Sequence, residues 1–193
     1  MVKAQDIFTI SNEEEFNSLA LKVFTHQFEN NSVYRSFCDL LYKHPSEIDS
    51  VREIPFLPIQ FFKTHKVLSA NNKVEQIFTS SGTTGSITSK HFITDTKLYE
   101  SSYLKGFQKF YGNVEDYAIL ALLPSYLERD GSSLIYMVAD MIKRSNCNES
   151  GFYLNNFSDL ASTIKTLEES KQKTLLIGVS FALLDLIEQF QLA

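Results

Sequence analysis

Residues 117–123, Tyr-Ala-Ile-Leu-Ala-Leu-Leu, form an uninterrupted apolar run closed by Asp116 before it and Pro124 after it. An apolar run this short, without polar alternation, reads as a strand buried on both faces. Such a strand needs helices on either side and belongs to a parallel sheet. The residues downstream supply the rest of the layers. Helical spacing runs from about Ser132 to Lys143, from Ser158 to about Glu169 and onward from Phe181, with strand-like stretches at 152–154 and 174–179. Strands separated by single helices predict a parallel α/β sheet with right-handed crossovers.

The first part of the chain has a different period. Ser11-Asn12-Glu13-Glu14 has capping-box spacing, and Phe16, Leu19, Ala20, Val23, Phe24 and Phe28 recur at helical intervals, so a helix is predicted from about Asn12. Asn30-Asn31-Ser32 breaks or re-caps it. Val33, Tyr34, Phe37, Leu40 and Leu41 then mark a second helix that ends before His44-Pro45. In residues 54–63 two prolines forbid a regular helix, and the hydrophobicity predicts a buried extended segment that packs the downstream residues onto the helices. Short strands are expected at 67–68 and 74–79, with a turn over 70–73, and a helix from about Asp95 whose Tyr99, Tyr103, Phe107 and Phe110 share a face and which stops at Gly112. The predicted organisation is a helical lead-in over 1–50 and an α/β part over 51–193: a helical N-terminal segment followed by a mostly parallel sheet with flanking helices.

Between these parts lies Phe78-Thr79-Ser80-Ser81-Gly82-Thr83-Thr84-Gly85-Ser86, which packs six hydroxyls and two glycines into nine residues. Glycines let successive loop amides turn inward as a nest that suits phosphate oxygens, and hydroxyls add donors at its rim. A phosphate loop over 78–90 between a strand and a helix is therefore expected. The bland alternative is a flexible linker. The apolar flanks at 74–78 and 92–111 argue against it, because the loop interrupts a core. The Gly-Lys-Ser ending of a Walker loop is absent.

At 193 residues and 44% hydrophobic content the chain has material for a sizeable core. A net charge of −5 with scattered Lys and Arg argues against a nucleic-acid surface. Cys38 and Cys147 fit no zinc spacing and read as reduced thiols, and no stretch has the length of a membrane span, so a cytoplasmic protein is expected.

Ser80-Ser81-Gly82-Thr83-Thr84-Gly85 resembles the phosphate-binding core motif of the adenylate-forming enzymes. Residues 54–63, Ser89-Lys90-His91, Leu98-Tyr99-Glu100-Ser101, Gly106-Phe107 through Phe110-Tyr111-Gly112, and Leu123-Pro124-Ser125-Tyr126-Leu127-Glu128-Arg129 narrow the resemblance to the LuxE-type acyl-protein synthetases, relatives of phenylacetate-CoA ligase. The resemblance implies a reaction in which a carboxylic acid, fatty or aryl, attacks the α-phosphate of ATP held with Mg²⁺, and the acyl adenylate passes to a thiol. An acyl-accepting protein or reductase is the implied partner. Ser80, Ser81, Gly82, Thr83, Thr84 and Gly85 would close over the β- and γ-phosphates with Ser86 at the loop's edge. Where the superfamily loop continues to Pro-Lys, Ile87-Thr88-Ser89 intervene before Lys90, which is either the corresponding phosphate contact or an ordinary solvent lysine. Pro124, Ser125 and Tyr126 would lie near the acyl carboxylate, and Gly178 at a strand-to-helix corner lining the acyl pocket. Both motifs also read as strand terminators.

The family's Tyr-Gly-x-Thr-Glu segment, ribose-binding aspartate, mobile domain with its lysine and acyl-accepting cysteine are not found in the sequence. The expectation is an N-terminal part of a larger synthetase, inactive alone, with a cut sheet edge prone to self-association. No residue is assigned a catalytic role or a metal-ligand role. A noncatalytic nucleotide- or phosphate-binding module and a purely structural domain are the alternative readings.

Overall fold

Asn12 and Asn31 set the architecture of the first part, because each places its side-chain oxygen on an orphan amide at a helix start. Asn12 accepts from the Glu15 amide at 2.9 Å and opens α2 (Glu13–Asn30); Asn31 accepts from the Tyr34 amide at 3.1 Å and opens α3 (Ser32–Leu40). A single helical turn, α1 (Ala4–Ile7), precedes them. In the computed structural model, residues 2–70, 72–80, 87–123, 131–154 and 156–190 are described. The chain divides into two units, Met1–Tyr99 and Glu100–Ala193.

In the first unit Phe24, Phe28, Tyr34, Cys38 and Ile48 form the core, with Leu21, Phe37, Ile54 and Leu57 packed against it. The aromatic rings meet edge to face, Phe24 with Phe28 at 6.5 Å and with Tyr34 at 6.1 Å. The two helical stripes are narrower than expected, since Phe16, Leu40 and Leu41 are exposed. The proline-rich segment departs further from expectation. Ile54 and Leu57 pack inward and Tyr34 Oη donates to the Pro55 carbonyl at 2.7 Å, but Phe56 and Ile59 are 77% and 70% exposed. The inward pair and the outward pair are each spaced three residues apart, the period of a polyproline-II path rather than of a strand, so only one side of the segment reaches the core. Nor does it stay extended to residue 63: once past Pro58 the chain winds into a single turn, α4 (Phe61–Thr64).

Of the strands expected before the hydroxyl loop only β1 (Gln76–Thr79) forms, and it pairs antiparallel with β2 (Lys90–Ile93). Residues 67–68 are not a strand. The helix α5 (Thr96–Tyr111) follows, and Gly112 ends it at φ +91, where a side chain would be strained. The division between the units falls within this helix.

The second unit is the predicted parallel sheet. Strands β3 (Ala118–Leu122), β4 (Gly151–Phe152) and β5 (Thr174–Gly178) lie in the order β4-β3-β5, both pairs parallel. Between and after them run α6 (Ser133–Arg144), α7 (Phe157–Glu169) and α8 (Ser180–Gln189). All five residues of β3 are buried, as a central strand covered on both faces requires. One side of the sheet packs Leu120 and Leu122 with Leu160, Leu167, Ala182 and Leu186. On the other, Ile119 meets Met141 and Val114, with Tyr103 and Phe107 against them, and Ala121 meets Val138. Phe110, expected on the buried face of α5, is instead exposed. A compact polar group also holds α5 and α6: Tyr103 Oη donates to Asp140 at 2.6 Å, Arg144 Nε reaches the same oxygen at 2.6 Å, and Tyr136 Oη donates to Glu100 at 2.7 Å.

Candidate functional site

The hydroxyl-rich segment is carried on a hairpin. It leaves β1 after Thr79 and returns into β2 at Lys90, so two antiparallel strands flank it rather than the expected strand and helix. Ser81, Gly82, Thr83, Thr84, Gly85 and Ser86 lie outside the described residues. The stem is described. Ser80 closes it twice: its amide donates to the Ser89 carbonyl at 3.1 Å, and its Oγ accepts from the Ser89 amide at 3.0 Å. The side chain expected to contact phosphate therefore already holds the two ends of the loop together.

Directly opposed residues of an antiparallel pair share a face. The register puts Phe78 with His91, and Gln76 with Ile93, on one face of the hairpin; Ile77 with Phe92, and Thr79 with Lys90, lie on the other. The first face is covered only in part, for Phe78 is buried while His91 stays exposed to solvent. Phe62 stands edge-on to His91 at 5.5 Å, and Tyr99 packs on the buried Phe78 at 5.1 Å. Contact with the Phe62 ring removes part of the solvent from the imidazole and so lowers the His91 pKa, an effect tempered by the exposure of the rest of the ring. The second face is open: Ile77 and Lys90 are exposed, and Lys66 lays its ammonium 5.5 Å from the centre of the Phe92 ring. Lys66 carries no signal in the sequence, because only its contact with Phe92 places it at the face that Lys90 shares.

The hairpin is tied to the helix after it. Glu75 accepts from the Thr96 amide at 2.9 Å and from Thr96 Oγ1 at 3.1 Å. These bonds, the backbone one first, hold its carboxyl below the usual carboxylate range. Sequence reading missed this cap, which comes from a residue 21 positions upstream.

In the second unit, Gly178 ends β5 beside the carboxyl end of β3, the end at which parallel sheets take ligands. A Cβ there would lie 2.8 Å from Leu183 side-chain atoms and 3.2 Å from the Leu122 carbonyl oxygen, so close helix-to-strand packing by itself calls for glycine. Pro124, Ser125 and Tyr126 lie outside the described residues. At the opposite, amino end of the strands, a depression of about 510 Å³ is lined by Glu115, Asp116, Asn146, Cys147, Lys171 and Lys173 among others. Its charges balance, and Gln172 spends its amide on the Asp116 carbonyl at 2.8 Å.

Neither thiol is poised to attack. Burial pushes the Cys38 and Cys147 thiols above the usual range, and Cys147 also donates to Glu149 at 2.9 Å, which further favours its neutral form. Among the described residues no helix is long and apolar enough to cross a membrane.

Comparison with known proteins adds the chemistry that this geometry leaves open. The family described as "Acyl-protein synthetase, LuxE" matches residues 2–110, more than half of the chain, and so takes in the helices, the hairpin and its loop. A long-chain-fatty-acid–luciferin-component ligase of Photorhabdus luminescens is 37% identical over 68 residues, 35% of this chain and 58% of that protein. No solved structure matches the chain.

Proposed function

The chain belongs to the LuxE acyl-protein synthetases, and from that membership we propose that it serves the ATP-dependent activation of a carboxylic acid and its transfer to a thiol. A carboxylate oxygen attacks the α-phosphorus of ATP and pyrophosphate leaves; the thiolate then attacks the acyl carbonyl and AMP leaves. The relative named for a long-chain fatty acid favours that substrate class over an aryl acid. Under this reading Cys38 and Cys147 are disfavoured as the acceptor thiol, since burial raises both above the usual thiol range.

The observation that carries the reading is the hairpin within the family match: its strands flank the segment of six hydroxyl residues and two glycines, and the open face of the stem bears cations. Two anions must be brought together, so the protein's contribution is to position them and to spread positive potential over the phosphates. Ser81, Thr83, Thr84 and Ser86 would donate to the β- and γ-phosphates, Gly82 and Gly85 would let backbone amides approach, and Lys90 would meet the same oxygens. Donors and cations of this kind suit a polyphosphate. Mg²⁺, when bound with the nucleotide, would neutralise part of the phosphate charge. Gly178, with Pro124, Ser125 and Tyr126, would border the acyl end.

Isothermal titration of the chain with MgATP and with a nonhydrolysable acyl-adenylate analogue tests this. Loop contacts must offset several kcal/mol of lost nucleotide freedom, so the expected affinity for MgATP is roughly millimolar. The paired change Thr83→Val and Thr84→Val should remove it while the fold remains. No binding of either ligand would favour a structural domain. Binding without acid-dependent pyrophosphate exchange, measured on the protein expressed from its full reading frame, would favour a noncatalytic phosphate-binding module.

A further inference from the structure

We propose that Lys66 and Lys90 together form a two-cation seat for a polyphosphate chain on the open face of the β1–β2 hairpin. The inference rests on reading the adjoining loop as a phosphate loop, but it concerns residues that the loop motif does not contain. Lys90 and Phe92 stand two residues apart on one strand, so their side chains project to the same side, about 7 Å apart along the strand. Lys66 reaches that side from the chain just past α4 and rests 5.5 Å from the Phe92 ring centre. Phe92 thus draws the Lys66 ammonium to the face of the strand that also carries Lys90.

Such an arrangement needs a reason, because two like charges brought to one face repel. Neither lysine has a carboxylate within ion-pair distance among the described residues. Glu75, the acidic group just before the adjoining strand, is committed to capping α5 through Thr96. The charge is therefore left uncompensated at the root of a loop rich in donors, where an anion with several oxygens would bridge both ammonium groups. Cation–π contact orients the Lys66 ammonium without neutralising it. A monocarboxylate offers one charge and would gain less from two cations than a tri- or diphosphate does.

The probes are sodium tripolyphosphate and MgATP, titrated into the whole chain at two salt concentrations, with laurate as the monocarboxylate comparison. Lys66→Met and Lys90→Met should each weaken tripolyphosphate binding by about tenfold, the loss expected for one charge-assisted contact. Lys66→Arg should retain most of it, and the salt dependence of both Met variants should be shallower. Lys63→Met, three residues upstream on α4, should bind as the unchanged chain does. Circular dichroism confirms that each variant is folded. The proposal is overturned if Lys66→Met binds tripolyphosphate like the unchanged chain, if laurate binding falls by the same factor as tripolyphosphate binding, or if the unchanged chain binds no polyphosphate. If binding depends on Lys66 yet no acid supports pyrophosphate exchange by the full-frame protein, the lysine seat stands and the acid-activating reading falls.

Discussion

Gly178 and His91 show how single positions answer to packing before they answer to chemistry. At Gly178 a methyl group would meet Leu183 at 2.8 Å and the Leu122 carbonyl at 3.2 Å, and Leu183 is itself packed on the core, so neither neighbour can move away at little cost. Gly178→Ala should therefore destabilise the second unit by ~1–3 kcal/mol, read from urea unfolding. An unchanged midpoint would mean that the corner relaxes freely and that the glycine is there for a ligand. At His91, partial desolvation beside Phe62 lowers the pKa below the free-histidine value of 6.5, and because the side chain is otherwise exposed its contribution to stability is small. The unfolded chain then binds more protons than the folded one across the window between the two values. Stability is full above about pH 6.5 and falls as the pH drops through that window. His91→Phe should flatten the dependence, and an equal slope in wild type and variant between pH 7 and 5 would assign the effect to other groups. His91 drew attention in the sequence only as a neighbour of Lys90; which face it occupies depends on pairing with Phe78, a contact no local pattern specifies.

Among the elements, those with strong local signals were legible. The Asn31 cap, the apolar run of β3 and the glycine stop after α5 each act within a few residues and appear where the sequence places them, whereas the cap of α2 falls on Asn12, one residue past the Ser11 that the capping-box spacing points to. The hairpin was half legible. Both of its strands are four residues long, too short for a period to show, and β2 is defined by its partner rather than by its own Lys-His-Phe-Ile. In the proline segment hydrophobic content overstates burial, because the three-residue period of an extended proline-rich path turns Phe56 and Ile59 outward while Ile54 and Leu57 face in. The stem geometry gives Ser80 a task distinct from that of the hydroxyls beyond it. Ser80→Ala removes the bond from the Ser89 amide but leaves the backbone bond at 3.1 Å, so the stem should loosen without opening. The expected outcome is faster hydrogen exchange at Ser89 and MgATP binding weakened by roughly threefold to tenfold, with Ser80→Thr close to wild type because its hydroxyl is kept. Loss of all MgATP binding in Ser80→Ala, with Ser89 exchange unchanged, would instead make Ser80 a direct phosphate ligand.

For the molecule as a whole, the alternating second unit was readable because each strand there is an apolar run and each helix an amphipathic one, so the layers follow from period alone. What period does not convey is which strand ends the sheet. The order β4-β3-β5 leaves the outer side of β5 without a strand partner among the described residues. That edge, Thr-Leu-Leu-Ile-Gly, carries none of the charges or prolines that usually guard an open strand. The helix that comes directly after it exposes Phe181, Leu184 and Ile187 at 55%, 59% and 62%, three residues apart and so on one face. An unguarded edge beside an apolar helix face is self-complementary: two copies related by a two-fold axis can pair β5 with β5 and bring their α8 faces together. A contact limited to one strand and one helix face lies at the small end of interface sizes, so association should be weak, with Kd of roughly tens to hundreds of micromolar. Sedimentation velocity across that concentration range should show a monomer–dimer shift. Leu184→Glu should abolish it without lowering stability, because the side chain it replaces is largely in solvent. A chain that stays monomeric throughout, or a Leu184→Glu variant that dimerises equally well, would remove this face and edge as the self-association surface.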